Sequence, residues 1–190
     1  MKKIITLIFL TILTTSVLAQ NRLYQSPNFV SLARKHKKIA VLPFNATVSL
    51  RPKQMKQTTQ EQLNRMGRDE GQAIQQSMYS WFLTRKQRGT MRVDVQNPMQ
   101  TNAILEKNKI SFEDMYKELP QDLASILDVD AVIMGTFETS KPMSEGASAA
   151  LGLLIGFWGS TNKAVLNMYI YNGEDGETLF NYHRAITKIT

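Results

Sequence analysis

The chain has 190 residues, no cysteine and a formal net charge of +7. The lack of cysteine excludes disulfides and thiolate metal sites, so the fold must be stabilised by its apolar core. The charge is uneven, because residues 21–100 carry 14 basic and 4 acidic groups, whereas residues 101–190 carry 7 and 12.

The first expected element is a secretory signal peptide, residues 1–19. Lys2 and Lys3 precede a short apolar run, and small residues end at Ala19, which is the pattern of a cleaved leader. The run is shorter than the roughly 20 residues that span a bilayer. Gln20 stands where a lipoprotein carries its lipidated cysteine, so we expect a periplasmic or secreted protein that is not a lipoprotein. An exported chain seldom meets nucleic acid, and no nucleic-acid partner is expected.

The next segment, residues 20–37, is interpreted as a basic linker, and residues 38–190 as one domain with an apolar insert at 142–162. Basic side chains at the end of the linker form a candidate patch for peripheral contact with a membrane or with peptidoglycan. The alternative is a solvated basic surface without a dedicated partner. The candidate residues are Arg34, Lys35, Lys37 and Lys38.

Strands and short helices are expected in the middle of the chain. Residues 39–44 form a continuous apolar run, which is typical of a strand buried on both faces. Pro43 cannot donate a hydrogen bond within a sheet, so it is expected at an edge or a bulge. Residues 92–96 alternate polar and apolar side chains and predict a second strand. Three short helices are expected to begin near Pro98, Ser111 and Pro120.

One long amphipathic helix is predicted between the strands at residues 39–44 and 92–96. Thr58 and Glu61 have the spacing of a capping box, and apolar residues recur at helical spacing as far as Arg88. Gly67 and Gly71 lie inside this pattern. Because each glycine costs about 1 kcal/mol relative to alanine in a helix, a break or kink is expected there.

The last third of the chain predicts a sheet core and a closing hairpin. Residues 130–137 form a second apolar run that is typical of a buried strand. Residues 164–171 alternate, a turn cluster follows at 172–176, and residues 177–190 are again strand-like, which predicts a β-hairpin. The fold class is therefore α/β (α+β), with a small mixed sheet of about four to five strands flanked by helices and ending in this hairpin.

The insert at 142–162 contains an uncharged stretch from Ala147 to Thr161. It is too short to span a bilayer as a helix. Core packing, self-association and membrane insertion are its three interpretations. Small residues allow close approach of two backbones and aromatic residues dominate interfaces, which motivates the second of these. The candidate self-association or membrane residues are Ala150, Leu151, Leu153, Leu154, Ile155, Phe157 and Trp158.

Catalytic and metal-binding patterns are not found in the sequence. His36 and His183 are far apart and lack a partner with ligand spacing, so hydrogen-bonded or solvent-facing histidines are favoured over metal ligands. No glycine-rich phosphate loop is recognisable. Three acidic pairs are candidates for glycan hydrolysis by their proximity, but each lies at a cap, a strand end or a turn, where acidic residues are common. The pairs are Glu113 with Asp114, Asp128 with Asp130, and Glu174 with Asp175.

Three motifs in order resemble those of the CsgG-like family of curli-secretion channel lipoproteins and the amino-terminal domain of TolB. They are IAVLPF at Ile39–Phe44, VDAVIMGT at Val129–Thr136, and the hairpin YNGEDGETL at Tyr171–Leu179. The resemblance covers roughly Lys38 to the end and implies an envelope protein, often a ring-forming or scaffold subunit, without catalytic residues. The lipidated cysteine is missing, and one apolar segment stands where the channel uses two hairpins, so a full pore is not expected.

These observations lead to one function and two alternatives. We expect a non-enzymatic periplasmic assembly or binding module, self-associating and supporting an outer-membrane or export complex, with no catalytic residue, cofactor or metal. The expected partners are other copies of the chain and other envelope proteins. The alternatives are a pore or membrane-associated secretion component, and a regulator of a cell-wall synthase.

Overall fold

The computed structural model describes residues 21–140 and 163–187. Within these ranges the chain has the α+β fold that the sequence predicts. The strands are β1 (Asn21–Gln25), β2 (Lys38–Val41), β3 (Asn45–Val48), β4 (Asp94–Val95), β5 (Ala131–Thr139), β6 (Lys163–Asn172) and β7 (Thr178–Thr187). The helices are α1 (Phe29–Ala33), α2 (Pro52–Met55), α3 (Gln60–Gln87), α4 (Pro98–Lys107) and α5 (Pro120–Leu127), with a 3₁₀ turn at Met115–Lys117.

The strands form one mixed sheet of seven strands, where about four to five were predicted. Their order is β1, β7, β6, β5, β2, β4, and β3 also pairs with β5. The pairs β1–β7, β7–β6 and β6–β5 are antiparallel. The strands β2, β3 and β4 run parallel to the strands with which they pair. One additional strand, β1, lies within residues 20–37, so part of the segment interpreted as a linker pairs with β7.

The other additional strand, β3, corrects the prediction of one continuous strand over 39–44. The first part, β2, ends at Val41, and residues 42–44 lie opposite only residues 134 and 135 of β5. The chain therefore bends in a bulge at Pro43, as expected for a residue with no N–H to donate. It then re-enters the sheet as β3. Both segments pair with the same partner, β2 with the start of β5 and β3 with its end.

Each face of the sheet carries its own apolar cluster. On one face α3 packs against side chains of β2, β3, β5 and β6. Ile74 of α3, Phe44 of the bend and Phe137 of β5 belong to this cluster. On the other face α4, α5 and the 3₁₀ turn pack against β2 and β5, with Leu105 and Leu127 among the buried residues. The hairpin between β6 and β7 was predicted from the sequence, and its turn lies at residues 173–177.

The long helix α3 is continuous through both glycines, so the expected break is not found. Its cap is also one residue later than predicted. The hydroxyl of Thr59 accepts a hydrogen bond from the backbone N–H of Gln62, and the Gln62 side chain accepts one from the Thr59 N–H at 2.8 Å. This pair has the same spacing as Thr58 and Glu61, so the sequence pattern fits both.

Gly67 and Gly71 bring the backbone of α3 into direct contact with the start of β3 and with the bend that precedes it. A Cβ atom on Gly71 would lie 1.9 Å from the carbonyl oxygen of Phe44, and one on Gly67 would lie 2.3 Å from that of Ala46. The N–H of Phe44 also donates to the carbonyl oxygen of Gly71 at 3.1 Å. Only glycine permits this approach, which explains why two poor helix formers lie in the helix interior.

The hydroxyl of Tyr116 fixes the same bend from the other face of the sheet. It accepts the backbone N–H of Asn45 at 2.7 Å and lies 2.7 Å from the carbonyl oxygen of Pro43 and 2.8 Å from that of Gly135. Burial raises the pKa of Tyr116 strongly, so the hydroxyl keeps its proton and can donate to a carbonyl. One side chain thereby connects the bend to the centre of β5 by hydrogen bonds.

The variant Gly71→Ala should be destabilised by about 3 kcal/mol, because the new methyl group overlaps a backbone oxygen that cannot move independently of the sheet. Urea unfolding followed by circular dichroism measures this. The matched control is Gln76→Ala on the exposed side of α3, which should change stability by less than about 0.5 kcal/mol. Equal stability of the two variants would contradict the close approach.

The variant Tyr116→Phe should lose about 2 kcal/mol of stability, since the carbonyl oxygens of the buried residues Pro43 and Gly135 lose their hydrogen bonds from the hydroxyl. The same unfolding measurement applies. Tyr24→Phe serves as the control, because Tyr24 is 49% exposed and its loss of a hydroxyl should have little effect. A Tyr116→Phe chain as stable as the control would show that the hydroxyl does not hold the bend.

Candidate functional site

An apolar groove lies beside the C-terminal part of α3, where the helix no longer covers the sheet. Strands β6, β7 and β1 continue the sheet beyond the helix, and their side chains on this face are apolar in two adjacent cross-strand rows. The rows form the floor of the groove. Starting from the edge, one row is Leu23, Tyr182 and Met168, and the next is Phe180, Ile170 and Ile133.

Aromatic side chains from two helices form the walls of the groove. Trp81 and Phe82 of α3 are in edge-to-face contact at 5.1 Å between ring centroids. Phe29 of α1 contacts Phe180 at 6.0 Å. The groove encloses about 390 Å³, and none of its ten lining residues carries a charge. Charged side chains contribute to the linings of three further cavities in the described ranges, of about 370, 500 and 380 Å³.

The groove opens at the edge of the sheet. Leu23 is 62% exposed, and β1 pairs only with β7, so no other strand of the described ranges covers its outer edge. An open strand edge beside exposed apolar side chains favours association with another chain. Arg85 lies at the rim, with its guanidinium carbon 4.6 Å from the centroid of the Trp81 ring. Such a cation over an aromatic face stabilises the orientation of the ring.

The opposite face of the same strands carries hydrogen-bonded polar side chains beside the stacked rings of Tyr169 and Tyr171. The ring Nδ1 of His183 lies 2.6 Å from Oδ1 of Asn167, whose side-chain nitrogen donates to the hydroxyl of Thr136 at 3.0 Å. His36, which lies between α1 and β2, makes a similar contact, with its Nε2 2.9 Å from Oδ1 of Asn172. Both histidines are therefore hydrogen-bonded to asparagine. Within residues 21–140 and 163–187, no group of three or more His, Cys, Asp or Glu could hold a metal ion.

The candidate basic patch lies beside acidic groups. Lys38 forms an ion pair with Asp128 at 3.0 Å. A carboxylate oxygen of Asp130 accepts the backbone N–H groups of Lys37 at 2.6 Å and Lys38 at 2.8 Å. Lys35 lines a small cavity together with Asp130 and Glu174, and Arg34 caps α1. These carboxylates reduce the positive potential of the patch, which weakens it as an anion-binding surface.

Five carboxylates of the three acidic pairs have structural partners, namely Glu113, Asp114, Asp128, Asp130 and Asp175. Glu113 pairs with Arg68 at 2.8 Å, and this hydrogen bond lowers the pKa of Glu113. Hydrogen bonds from Lys117 and Ser111 lower the pKa of Asp114. The pKa of Asp175 is lowered by the N–H of Glu177 and by the Asn172 side chain. Lowered pKa values favour the ionised form, whereas a general acid at neutral pH needs a raised pKa.

The candidate residues Ala150 to Trp158 lie outside the described residues. In the part of the chain that the structure does describe, no helix is both long and apolar enough to cross a membrane.

The groove was only partly predictable from the sequence. Met78, Trp81 and Phe82 were recognised as the apolar side of a helix, but Leu23 and Phe29 lie in the segment interpreted as a linker. Alternation of side chains over Asn21–Gln25 was the available signal for β1, and it is short.

Comparisons with known proteins find no matching protein family and no matching curated protein. Among solved structures, lipoprotein GNA1162 from Neisseria meningitidis is 13% identical over 80% of each chain, with a TM-score of 0.45. The LpoB C-terminal domain from Salmonella enterica is 12% identical over 83% of this chain and 94% of that one, with a TM-score of 0.40. The PelC dodecamer from Paraburkholderia phytofirmans is 10% identical over 89% and 82%, with a TM-score of 0.40. The resemblance to the CsgG-like family stays a prediction.

The contacts of Asp130 predict a pH effect on stability. Burial alone would raise its pKa, but the N–H groups of Lys38 and Lys37 and the nearby positive charges lower it below its ordinary value of 3.8. The folded state therefore binds this proton more weakly than the unfolded chain, and the stabilisation is lost as the pH falls below about 4. Melting temperatures of Asp130→Asn and the parent should differ most near neutral pH and converge in acid. A constant difference would contradict this.

Proposed function

We propose that the chain is a non-enzymatic assembly or binding module of the bacterial envelope, which docks through the apolar groove. The observation that carries this proposal is the groove itself: ten uncharged lining residues, mostly aromatic or aliphatic, beside an open strand edge. Such sites bind apolar anchor residues of protein partners. The expected leader sequence supports an envelope location, and the resemblance to CsgG-like proteins implies the same kind of role.

The chemistry of the described residues supports a binding role over catalysis. The histidines are engaged by asparagines, and the acidic pairs serve caps, turns and ion pairs. The groove itself contains no titratable group other than the phenol of Tyr182. A hydrolase acting on peptidoglycan is the alternative of a different class. Release of soluble fragments from purified peptidoglycan by the mature chain would favour that alternative over ours.

Photo-cross-linking in intact cells tests the groove as the docking surface. A photoreactive phenylalanine analogue at position 23 should give covalent adducts on irradiation, because Leu23 lies at the open side of the groove and is already exposed. The matched control is the same analogue at position 99, since Met99 is 79% exposed on α4, which covers the other face of the sheet. Adduct sizes distinguish copies of the chain from another envelope protein.

The expected result is adducts from position 23 and at least tenfold less from position 99. Absence of adducts from position 23, or equal adducts from both positions, would count against the groove as a docking surface. A synthase regulator would give adducts with a large partner, whereas a self-assembling scaffold would give multiples of its own mass.

A further inference from the structure

We propose that the occupant of the groove is the uncharged segment Ala147–Trp158 of a second copy of the chain. The proposal rests on the proposed function and names the partner of the same site. It joins two features that otherwise have no connection, an apolar groove without charge and an apolar segment without charge.

The chemistry of the two surfaces matches. The groove has an aromatic and aliphatic lining and a volume of about 390 Å³, which can accept a few large apolar side chains. The segment supplies Leu154, Phe157 and Trp158 among small residues that let its backbone approach closely. Outside the expected leader at residues 1–19, two other uncharged stretches at least as long as this segment, residues 39–50 and 71–84, already form β2, β3 and much of α3. In the expected mature chain, Ala147–Trp158 is therefore the uncharged stretch of this length that these elements do not use.

The segment and the groove belong to different parts of one copy. Residues 141–162 connect the end of β5 to the start of β6, where Thr139 pairs with Ala164. The groove floor begins at Met168, four residues farther along β6, which corresponds to about 13 Å. A segment that leaves and returns over 22 residues can reach up to about 36 Å from this end. The connection is thus long enough to reach a neighbouring molecule.

Docking of the segment on a second copy is favoured over docking on its own copy, because buried residues of β6 lie between the segment and its own groove. On the groove face of β6, Ala164 and Leu166 are 2% and 1% exposed and belong to the core cluster with Phe137. These positions are covered, so a segment that docks on the groove of its own copy has to pass around them. Docking on a second copy avoids this path. Because the two contacting patches are different, the association is heterologous and can continue from copy to copy.

A mixing experiment with the full mature chain tests this arrangement. The first variant carries Leu154→Ser and Trp158→Ser in the segment, and the second carries Leu23→Glu at the groove. Mass is measured by light scattering after size-exclusion chromatography, across a dilution series. The parent should exceed the monomer mass, and each variant alone should associate at least tenfold more weakly. A Met99→Glu chain is the matched surface control and should behave like the parent.

The equimolar mixture of the two variants gives the decisive result. Each variant retains the patch that the other lacks, so the mixture should form complexes of two copies and none larger. A mixture that stays monomeric would overturn the proposal in favour of docking within one copy or a symmetric contact. If the groove variant alone loses association, the segment is not the occupant but the groove keeps its function. If neither variant loses association, or if the parent is monomeric throughout, the second-copy proposal is overturned. Photo-cross-linking at position 23 then decides whether the groove docks another protein.

A second measurement uses the tryptophan in the groove. The chain has two tryptophans, so Trp158→Phe leaves Trp81 as the reporter while keeping an apolar anchor in the segment. Its emission should shift to shorter wavelength as concentration rises and association desolvates the groove. The same chain with Leu154→Ser added should show no shift. A shift that is equal in both chains would contradict docking of the segment near Trp81.

Discussion

The direct backbone contact at Gly67 and Gly71 determines where α3 can lie. Because the helix backbone touches the carbonyl oxygens of Phe44 and Ala46, its axis is held over β2, β3 and β5. The helix has 28 residues and is about 42 Å long, so its last turns extend past this contact. They carry Trp81 and Phe82 to the border of β6, and the outer strands continue without comparable cover. The groove is thus a consequence of helix placement.

The sheet bend makes this placement possible. At this bend the carbonyl oxygens of Phe44 and Ala46 lie directly against the backbone of α3. Tyr116 secures the bend from the opposite face through its hydroxyl, and the ring of Phe44 fills the space above Gly135, where a Cβ atom would lie 2.3 Å from it. Three glycines and one tyrosine therefore act on the same few residues of backbone.

Sequence periodicity predicted the elements whose pattern is local. The long helix, the hairpin and the buried strand at 131–139 follow from apolar spacing and turn residues, and the structure confirms them. Long-range geometry was not predictable. Nothing local shows that β2 and β3 share β5 as a partner, or that Gly67 and Gly71 mark a helix–strand contact and not a kink. The groove joins Leu23, Phe180 and Trp81, residues distant in sequence, so only the pairing of β1 with β7 brings them together.

The contrast between the two faces of β6, β7 and β1 argues that the groove is a binding surface. On one face Thr136, Asn167 and His183 form hydrogen bonds across the strands, which suits a surface in contact with water. On the other face the same strands present Met168, Ile170, Phe180 and Tyr182, only partly covered. A chain that needed only a solvated edge could place polar residues on both faces, at no loss to the core under α3. Apolar side chains at these alternate positions instead gain free energy when a partner removes them from water, at roughly 25 cal/mol per Å² buried.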